Sequence, residues 1–441
     1  MINLIIEKLN IEKNYDVRVR VLNVNNKKIG FVFLDFLTDG LKVNDIIYSI
    51  NNLKQTITKE LLVNHLMNAS VNVINDVDNI VNSILKGDMA IFIEHEVVSL
   101  VVDTKKYPGR IIGEPDGEKV VRGSRDGFTE TLSTNVALVR RRIASTDLTL
   151  ELYTIGKSSK TYVVLCYLKS IIDEKVLSDI KGKLNKVKIS ELIMSDKALE
   201  EHLVKNPYSP YPIVKYTERP DTFCAHLYQG MFGLLVDTSP SAILGPVSIF
   251  DHMQHAEEFR QTIIAGSYLR FIRFIGIVLG FLIIPIWFSL ISVGKINIDE
   301  SMFNVFIQLL SIEVAIEIIR MASIHTPSAL STSMGLIAGI VIGDMAVNLG
   351  VINQTVAFLG SVSALSSYIT PSYELSLANK IVKLILIFLI YLFNIYGLIF
   401  GLIVLIIYLA SLKSFTRSYL YPLIPFNLKG FIKQLFRKPY I

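Results

Sequence analysis

The amino-acid sequence predicts an α+β water-soluble N-terminal part made of two small α/β subdomains, followed by an all-α polytopic membrane domain. Three observations predict it. Charge is dense before Arg273 and sparse after it: between Phe274 and Leu412 the only charged residues are Lys295, Asp299, Glu300, Glu313, Glu317, Arg320, Asp344, Glu374, Lys380 and Lys383. That same stretch holds apolar runs long enough to cross a bilayer. Before it, hairpins of alternating apolar residues occur twice.

The first hairpin joins Val17–Val24 to Ile29–Phe36 across Asn25 and Asn26, and helical patterns follow it. Strands near Met89–Ile93 and Val97–Val102 complete a small sheet. The order recurs from Leu148–Thr154 and Thr161–Leu168, which flank Gly156, Lys157, Ser158 and Ser159. Further strands are expected at Phe223–Tyr228 and Gly233–Val236. The two subdomains are thus read as related, spanning 1–106 and 128–260, with a linker rich in charge, Gly and Pro at 107–127.

The membrane domain, 261–412, carries apolar segments at about 274–293, 303–319, 330–351, 353–368 and 381–412. The third and fourth are rich in Gly, Ala and Ser, which suits helices packed on helices. The fifth is long enough for one tilted span with a bend near Gly397 and Gly401. The tail, 413–441, holds Lys413, Arg417, Lys429, Lys433, Arg437 and Lys438 and no acid, so it is placed on the cytoplasmic side with Arg270 and Arg273. Both ends inside require an even number of crossings. Five segments are odd, so one is expected to be re-entrant or interfacial.

Composition and motifs exclude several functions. Net charge is only +5 and no basic stripe interleaves with aromatics, which gives nucleic-acid binding no support. The first 16 residues lack the apolar core and cleavage site of a signal peptide. The two cysteines, Cys166 and Cys224, read as small packed residues in a reducing compartment. Gly156-Lys157-Ser158 resembles the end of a phosphate loop, but Glu151 stands where that loop needs glycine. His95-Glu96 lacks a second histidine at zinc-protease spacing, and no G-x-S-x-G elbow occurs. No catalytic residue, cofactor or metal is assigned. His252, His255, Glu257 and Glu258 could set metal ligands along a helix, yet a polar helix at the headgroups is the stronger reading of that segment.

Three residue sets stand out. Glu118, Arg122, Arg125, Glu130 and Arg141, with Glu114, Asp126, Arg140 and Arg142, suit a structural ion-pair hub between the subdomains; a solvated charged loop and an anion site are the other readings. Glu313, Glu317 and Arg320 fall on one helix face inside the membrane. Ionisable groups there are costly and must face protein or water, as a structural pair or as part of a transport path. Gly335, Gly339 and Gly343 form a tandem stripe of small residues followed by Asp344, which suits close helix packing beside a polar lining.

Long motifs then carry a resemblance. Glu114–Ile143 (EPDGEKVVRGSRDGFTETLSTNVALVRRRI), Thr217–Asp221 (TERPD), Val236–Pro246 (VDTSPSAILGP), Gln254–Gln261, Gly339–Val347, Thr370–Ile381 and Ala410–Asn427 together resemble the A-subunit (GerA) family of spore germination proteins. The likeness covers nearly the whole chain. In the first hundred residues it is weak apart from Phe31–Gly40, and Gly245 stands where a large apolar residue is expected before Pro246. The resemblance implies a multi-pass protein of the inner membrane of a bacterial endospore, with its N-terminal part facing the core. It further implies an oligomeric channel that releases ions at germination, in the branch made in the developing spore and linked to dipicolinic acid release. The lipid bilayer, further copies of the chain and other germination membrane proteins are the implied partners, and no enzyme activity is implied. A non-conducting sensor or scaffold that gates a separate channel is the alternative.

Overall fold

Asn25 and Asn26 both adopt positive φ, 50° and 65°, the geometry of a two-residue hairpin turn that asparagine tolerates. They join β1 (Val17–Val24) to β2 (Lys27–Leu34) in an eight-residue antiparallel register from Val17↔Leu34 to Val24↔Lys27. The computed structural model describes residues 1–66, 70–107, 118, 120, 122–325, 339–340 and 345–436. By its internal contacts the chain divides into two units: Met1–Pro207 with Val214–Val247 and Ser414–Thr416, and Tyr208–Ile213 with Ser248–Lys413 and Arg417–Ile441.

The first unit contains two five-stranded sheets of the same design. Helix α1 (Ile2–Lys8) precedes the first hairpin; α2 (Gly40–Asn51), α3 (Lys59–His65), β3 (Val71–Ile74), α4 (Val77–Leu85), β4 (Met89–Ile93) and β5 (Ser99–Val102) follow it. After α5 (Leu132–Arg142) the series repeats as β6 (Leu148–Ile155), β7 (Thr161–Leu168), α6 (Glu174–Lys186), α7 (Ser195–Leu203), β8 (Lys215–Thr217), α8 (Pro220–Leu227), β9 (Phe232–Val236) and β10 (Ala242–Gly245). Strand orders are β1-β2-β4-β5-β3 and β6-β7-β9-β10-β8, and all pairings are antiparallel. The duplication read from the sequence is therefore present in element order and in sheet order alike.

Both sheets are covered on two faces, so their central strands are apolar throughout rather than alternating. In β7, Val163 and Leu165 pack towards α6 and α7, while Val164 and Cys166 pack towards α5 and α8. Cys166 and Cys224 are both free and buried in that second core, and burial pushes the Cys224 thiol up to about 12. They serve as small apolar residues.

One expected strand is a helix. Residues 223–228 lie in or at the end of α8, because Pro220 fits the first helical turn, Asp221 suits its positive end, and Pro220, Phe223, Cys224 and Leu227 form one buried face. The stretch 252–261, expected as a polar headgroup helix, instead forms two short 3-10 turns, Ile249–His252 and Ala256–Phe259. There the Glu258 carboxylate pairs with Arg270, at 2.8 Å, and with Arg273.

The second unit is helical: α9 (Ile263–Ser292), α10 (Met302–His325), a short turn at Ala346–Asn348, α11 (Gln354–Ile369), α12 (Tyr373–Ser411) and α13 (Leu428–Leu435). Three of them, α9, α10 and α12, are long and apolar enough to cross a membrane. The expected segment 330–351 lies largely outside the described residues.

The single tilted span expected at 381–412 is a correction. Asn394 leaves helical geometry (φ 53°, ψ −141°), and α12 consists of arms 373–393 and 395–411 that fold back on each other. A straight helix would hold Leu375 and Leu409 about 50 Å apart, yet both belong to one buried cluster with Ala378 and Leu412. Gly397 faces the backbone of Leu389, and Gly401 faces Leu386 and Leu389. Those glycines are the contact surface of a helical hairpin rather than a bend.

Candidate functional site: a charged pocket among the membrane helices

Within the second unit, α11 runs beside α10 in the same direction. Asn353, at the start of α11, donates its backbone N–H to Gln308 Oε1 (2.8 Å) and its side-chain amide to Glu300 Oε1 (3.0 Å). Further along, Gly360 abuts Ile312, and Ser363 reaches Glu313 at 3.1 Å. The first arm of α12 returns against α10, from Lys380 opposite Glu317 to Tyr391 stacked on Phe306 at 4.5 Å. Gly280 of α9 lies directly on Ser366, so a larger residue there would separate α9 from α11.

This packing builds a network of four charges. Lys383 Nζ lies 2.5 Å from Glu313 Oε1 and also bonds Ser363; Lys380 Nζ lies 2.8 Å from Glu317 and 3.9 Å from Glu313. Glu313 and Lys383 are almost wholly buried. Facing lipid at a span centre, each group would cost about 3 kcal/mol on insertion scales; paired inside the bundle, two carboxylates and two ammonium groups cancel. Beside them is a small, partly open pocket whose polar lining includes Ser363, Ser366, Ser367, Thr370, Ser376 and Asn379. The lining offers hydroxyl and amide groups, and the Ser363 hydroxyl is held by both Glu313 and Lys383.

The structure thus joins Glu313 and Glu317 in one site, with partners the sequence reading missed. Glu317 pairs with Lys380 rather than with Arg320. Arg320 turns to the Ser376 hydroxyl, 3.2 Å away, and lies over the Tyr373 ring at 4.5 Å. A signal for this was present: Lys380 and Lys383, three apart in an otherwise apolar run, match the spacing of Glu313 and Glu317, four apart, on a facing helix. Of the tandem stripe, only Gly339 is described; Gly335, Gly343 and Asp344 lie outside the described residues.

The residues of the expected hub in the first unit are placed as follows. Arg122, Arg125 and Glu130 are exposed. A buried ion pair that links the two subdomains is Arg140–Asp16, at 2.8 Å, with Arg140 also donating to the carbonyls of Ser145 (3.1 Å) and Leu148 (3.3 Å). Asn14 Oδ1 accepts from Leu150 N–H at 2.9 Å across the same boundary. Arg141 lies over the Tyr107 ring at 4.6 Å. Glu118 accepts from the Thr217 hydroxyl (2.8 Å) and the Glu218 N–H (3.0 Å), while Arg219 donates to the Glu118 and Ser124 carbonyls and pairs with Asp221 at 3.0 Å. Arg142 pairs with Asp126 at 2.6 Å. Burial raises the Asp126 carboxyl, but Arg142 and Ser124 outweigh it, and its pKa falls below the ordinary value. Arginine side chains prevailed because each fork satisfies several fixed acceptors at once.

Residues 5–441 match the model of the Bacillus/Clostridium GerA spore germination protein family. The chain belongs to the GerA family. Like its GerA relatives it is a membrane protein of spore germination and sporulation. It is 40% identical to stage V sporulation protein AF of Bacillus subtilis (strain 168), over 96% of this chain and 89% of that one. It is 29% identical to spore germination protein A1 of the same strain, over 94% of this chain and 90% of that one. Among solved structures it is similar to the N-terminal domain of the A subunit of the Bacillus megaterium spore germinant receptor GerK3. That likeness has 25% identity and a TM-score of 0.43, and covers 56% of this chain and 92% of the other. The family match begins at residue 5.

Proposed function

We propose that this chain is a membrane subunit of a spore germination complex and assembles into an oligomeric ion channel. The channel takes part in ion release, and indirectly in dipicolinic acid release, when endospores germinate. The carrying observation is at Gly339: among the described residues nothing lies within 4 Å of where its side chain would be, and Ile340, Met345, Leu349 and Val351 are exposed. A small-residue stripe favours close helix contact. Among the described residues Gly339 has no such contact, which supports contact with another copy. Asp344, next to that stripe in sequence, would then face protein or water at the subunit junction, where a ring of carboxylates attracts cations. The Glu313–Lys383 pocket is charge-compensated and suits positioning of helices within one subunit.

The reading includes a topology. His325 and Asn353 lie at opposite ends of α10, since Asn353 contacts Glu300 and Gln308 near its start. Passes through α9, α10, the return from His325 to Asn353, α11 and the two arms of α12 make six, an even number. Both chain ends then share the basic, core-facing side of the spore inner membrane.

Conductance of the purified protein in planar bilayers, with crosslinking in native membranes, tests the proposal. Gly339→Leu should abolish the oligomer, whereas Asp344→Asn should leave it intact and change conductance or ion preference. Wild-type conductance in Asp344→Asn, or no oligomer on crosslinking, would overturn the pore assignment. The large two-sheet unit would then favour a non-conducting sensor or scaffold.

A further inference from the structure

The six basic residues after Leu412 stand without a single acid, yet the described part of this segment is not a loose charged tail. Asn427 caps α13 by accepting from Gly430 N–H at 3.1 Å. One side of α13 is fixed to the second unit. Phe431 meets Phe250 edge-on at 6.3 Å between ring centres, and the Gln434 carbonyl accepts from Arg270 at 3.2 Å. Arg270 is also held by Glu258, so α13 sits at the level where polar flank gives way to the apolar span that starts at Phe274.

The other side is exposed and apolar. Leu428, Ile432 and Phe436 recur every four residues and are 57%, 42% and 52% exposed, and Phe426 just before them is 68% exposed. At 100° per residue, Leu428 and Ile432 fall within about 40° of arc and Lys429 and Lys433 lie about 60° to 100° further round, while Phe436 follows as the C-cap. An apolar strip bordered by lysines, at the end of a membrane span, has the pattern of a helix lying in the plane of the bilayer surface.

We propose that α13 is an interfacial anchor whose Leu428, Ile432 and Phe436 strip enters the acyl boundary of the membrane while Lys429 and Lys433 bind the headgroups of anionic phospholipids. Charge complementarity selects this occupant: six cations and no acid repel another copy of the same segment and attract an anionic surface. Continuity with the span supports it, since α13 is pinned to the first turns of α9. The proposal is independent of conduction and holds equally for a channel or a scaffold.

The test uses full-length protein in nanodiscs of phosphatidylcholine with or without phosphatidylglycerol. Cys166 and Cys224 are buried, so a fluorophore can be placed selectively through Ile432→Cys, with Tyr228→Cys, an exposed site in the first unit, as a separate aqueous control. The label at 432 should be quenched by shallow nitroxide lipids and shielded from iodide, the reverse of the label at 228. In the unlabelled protein, Lys429→Gln and Lys433→Gln should each lower retention of phosphatidylglycerol over phosphatidylcholine, read by native mass spectrometry, roughly fivefold. Iodide quenching at 432, or self-quenching between labelled copies that shows a second chain on the strip, would overturn the anchor. Unchanged lipid preference in both lysine variants would overturn the anionic component.

Discussion

Lys383 Nζ and Glu313 Oε1 lie 2.5 Å apart, joining helices from positions 70 residues distant in the chain, and the Ser363 hydroxyl closes the group from a third helix. The pair resolves two costs at once. Each charge neutralises the other, and their shared geometry sets the depth at which α10 and α12 meet.

Lys383→Met should therefore leave Glu313 with only the more distant Lys380, 3.9 Å away and already paired with Glu317, and cost about 3 kcal/mol. The expected readout is lower protein level in membranes and a lower unfolding temperature in detergent. Combining it with Glu313→Gln should restore most of the loss, because neither charge is then left alone; a double variant as unstable as the single one would contradict the pairing.

Asp16→Asn should weaken the union of the two α/β subdomains. Arg140 would keep its carbonyl acceptors but lose its counter-charge while still buried, a loss of about 3 to 5 kcal/mol. Hydrogen exchange should rise at Leu150, whose N–H is held by Asn14 across the same boundary. Unchanged protection there would show that the subdomains do not depend on this pair.

Gly245 makes room for Phe415. A side chain there would meet Phe232 at 2.8 Å and Phe415 at 2.9 Å, two rings packed edge-on with centres 4.8 Å apart. Gly245→Leu should cost about 1 to 3 kcal/mol through overpacking, and adding Phe415→Ala should recover part of it. Thermal unfolding of the two variants decides the matter.

The Asp126 carboxyl titrates below its ordinary range of about 4. Because the folded pKa is the lower one, its contribution is fully present above about pH 4 and is lost as pH falls through the folded value. Wild-type and Asp126→Asn stability should therefore converge as pH drops below about 4. A stability difference that stays constant down to pH 2 would show that Arg142 does not hold the carboxyl in its charged form.

The hairpin in α12 predicts opposite sides for two labels. A cysteine replacing Tyr396, exposed just past the reversal at Asn394, should react from outside sealed cells, and one replacing Lys433 should react only after the membrane is opened. A label site at 396 that stays unreactive from either side, as in mid-membrane, would favour a single span.

The sequence by itself determined which residues leave water. The Asn25-Asn26 turn, most strand runs and the apolar segments at 274–293 and 303–319 were legible because turn geometry, two-sided burial and bilayer thickness each impose a local pattern. Duplication was legible as well, since each subdomain repeats its own hairpin. Phe223–Tyr228 was misread as a strand because a short apolar run suits strand and helix equally. Asn394 was missed because one residue with positive φ leaves no trace in hydropathy. Tertiary structure alone decided the partners. Arg140 could pair with any nearby carboxylate by composition, and Glu317 could pair with Arg320 by spacing; only packing brought Asp16 to the first and Lys380 to the second. Local pattern fixes how strongly a charge needs a partner, whereas the choice depends on which distant helix or strand the whole core presents to it.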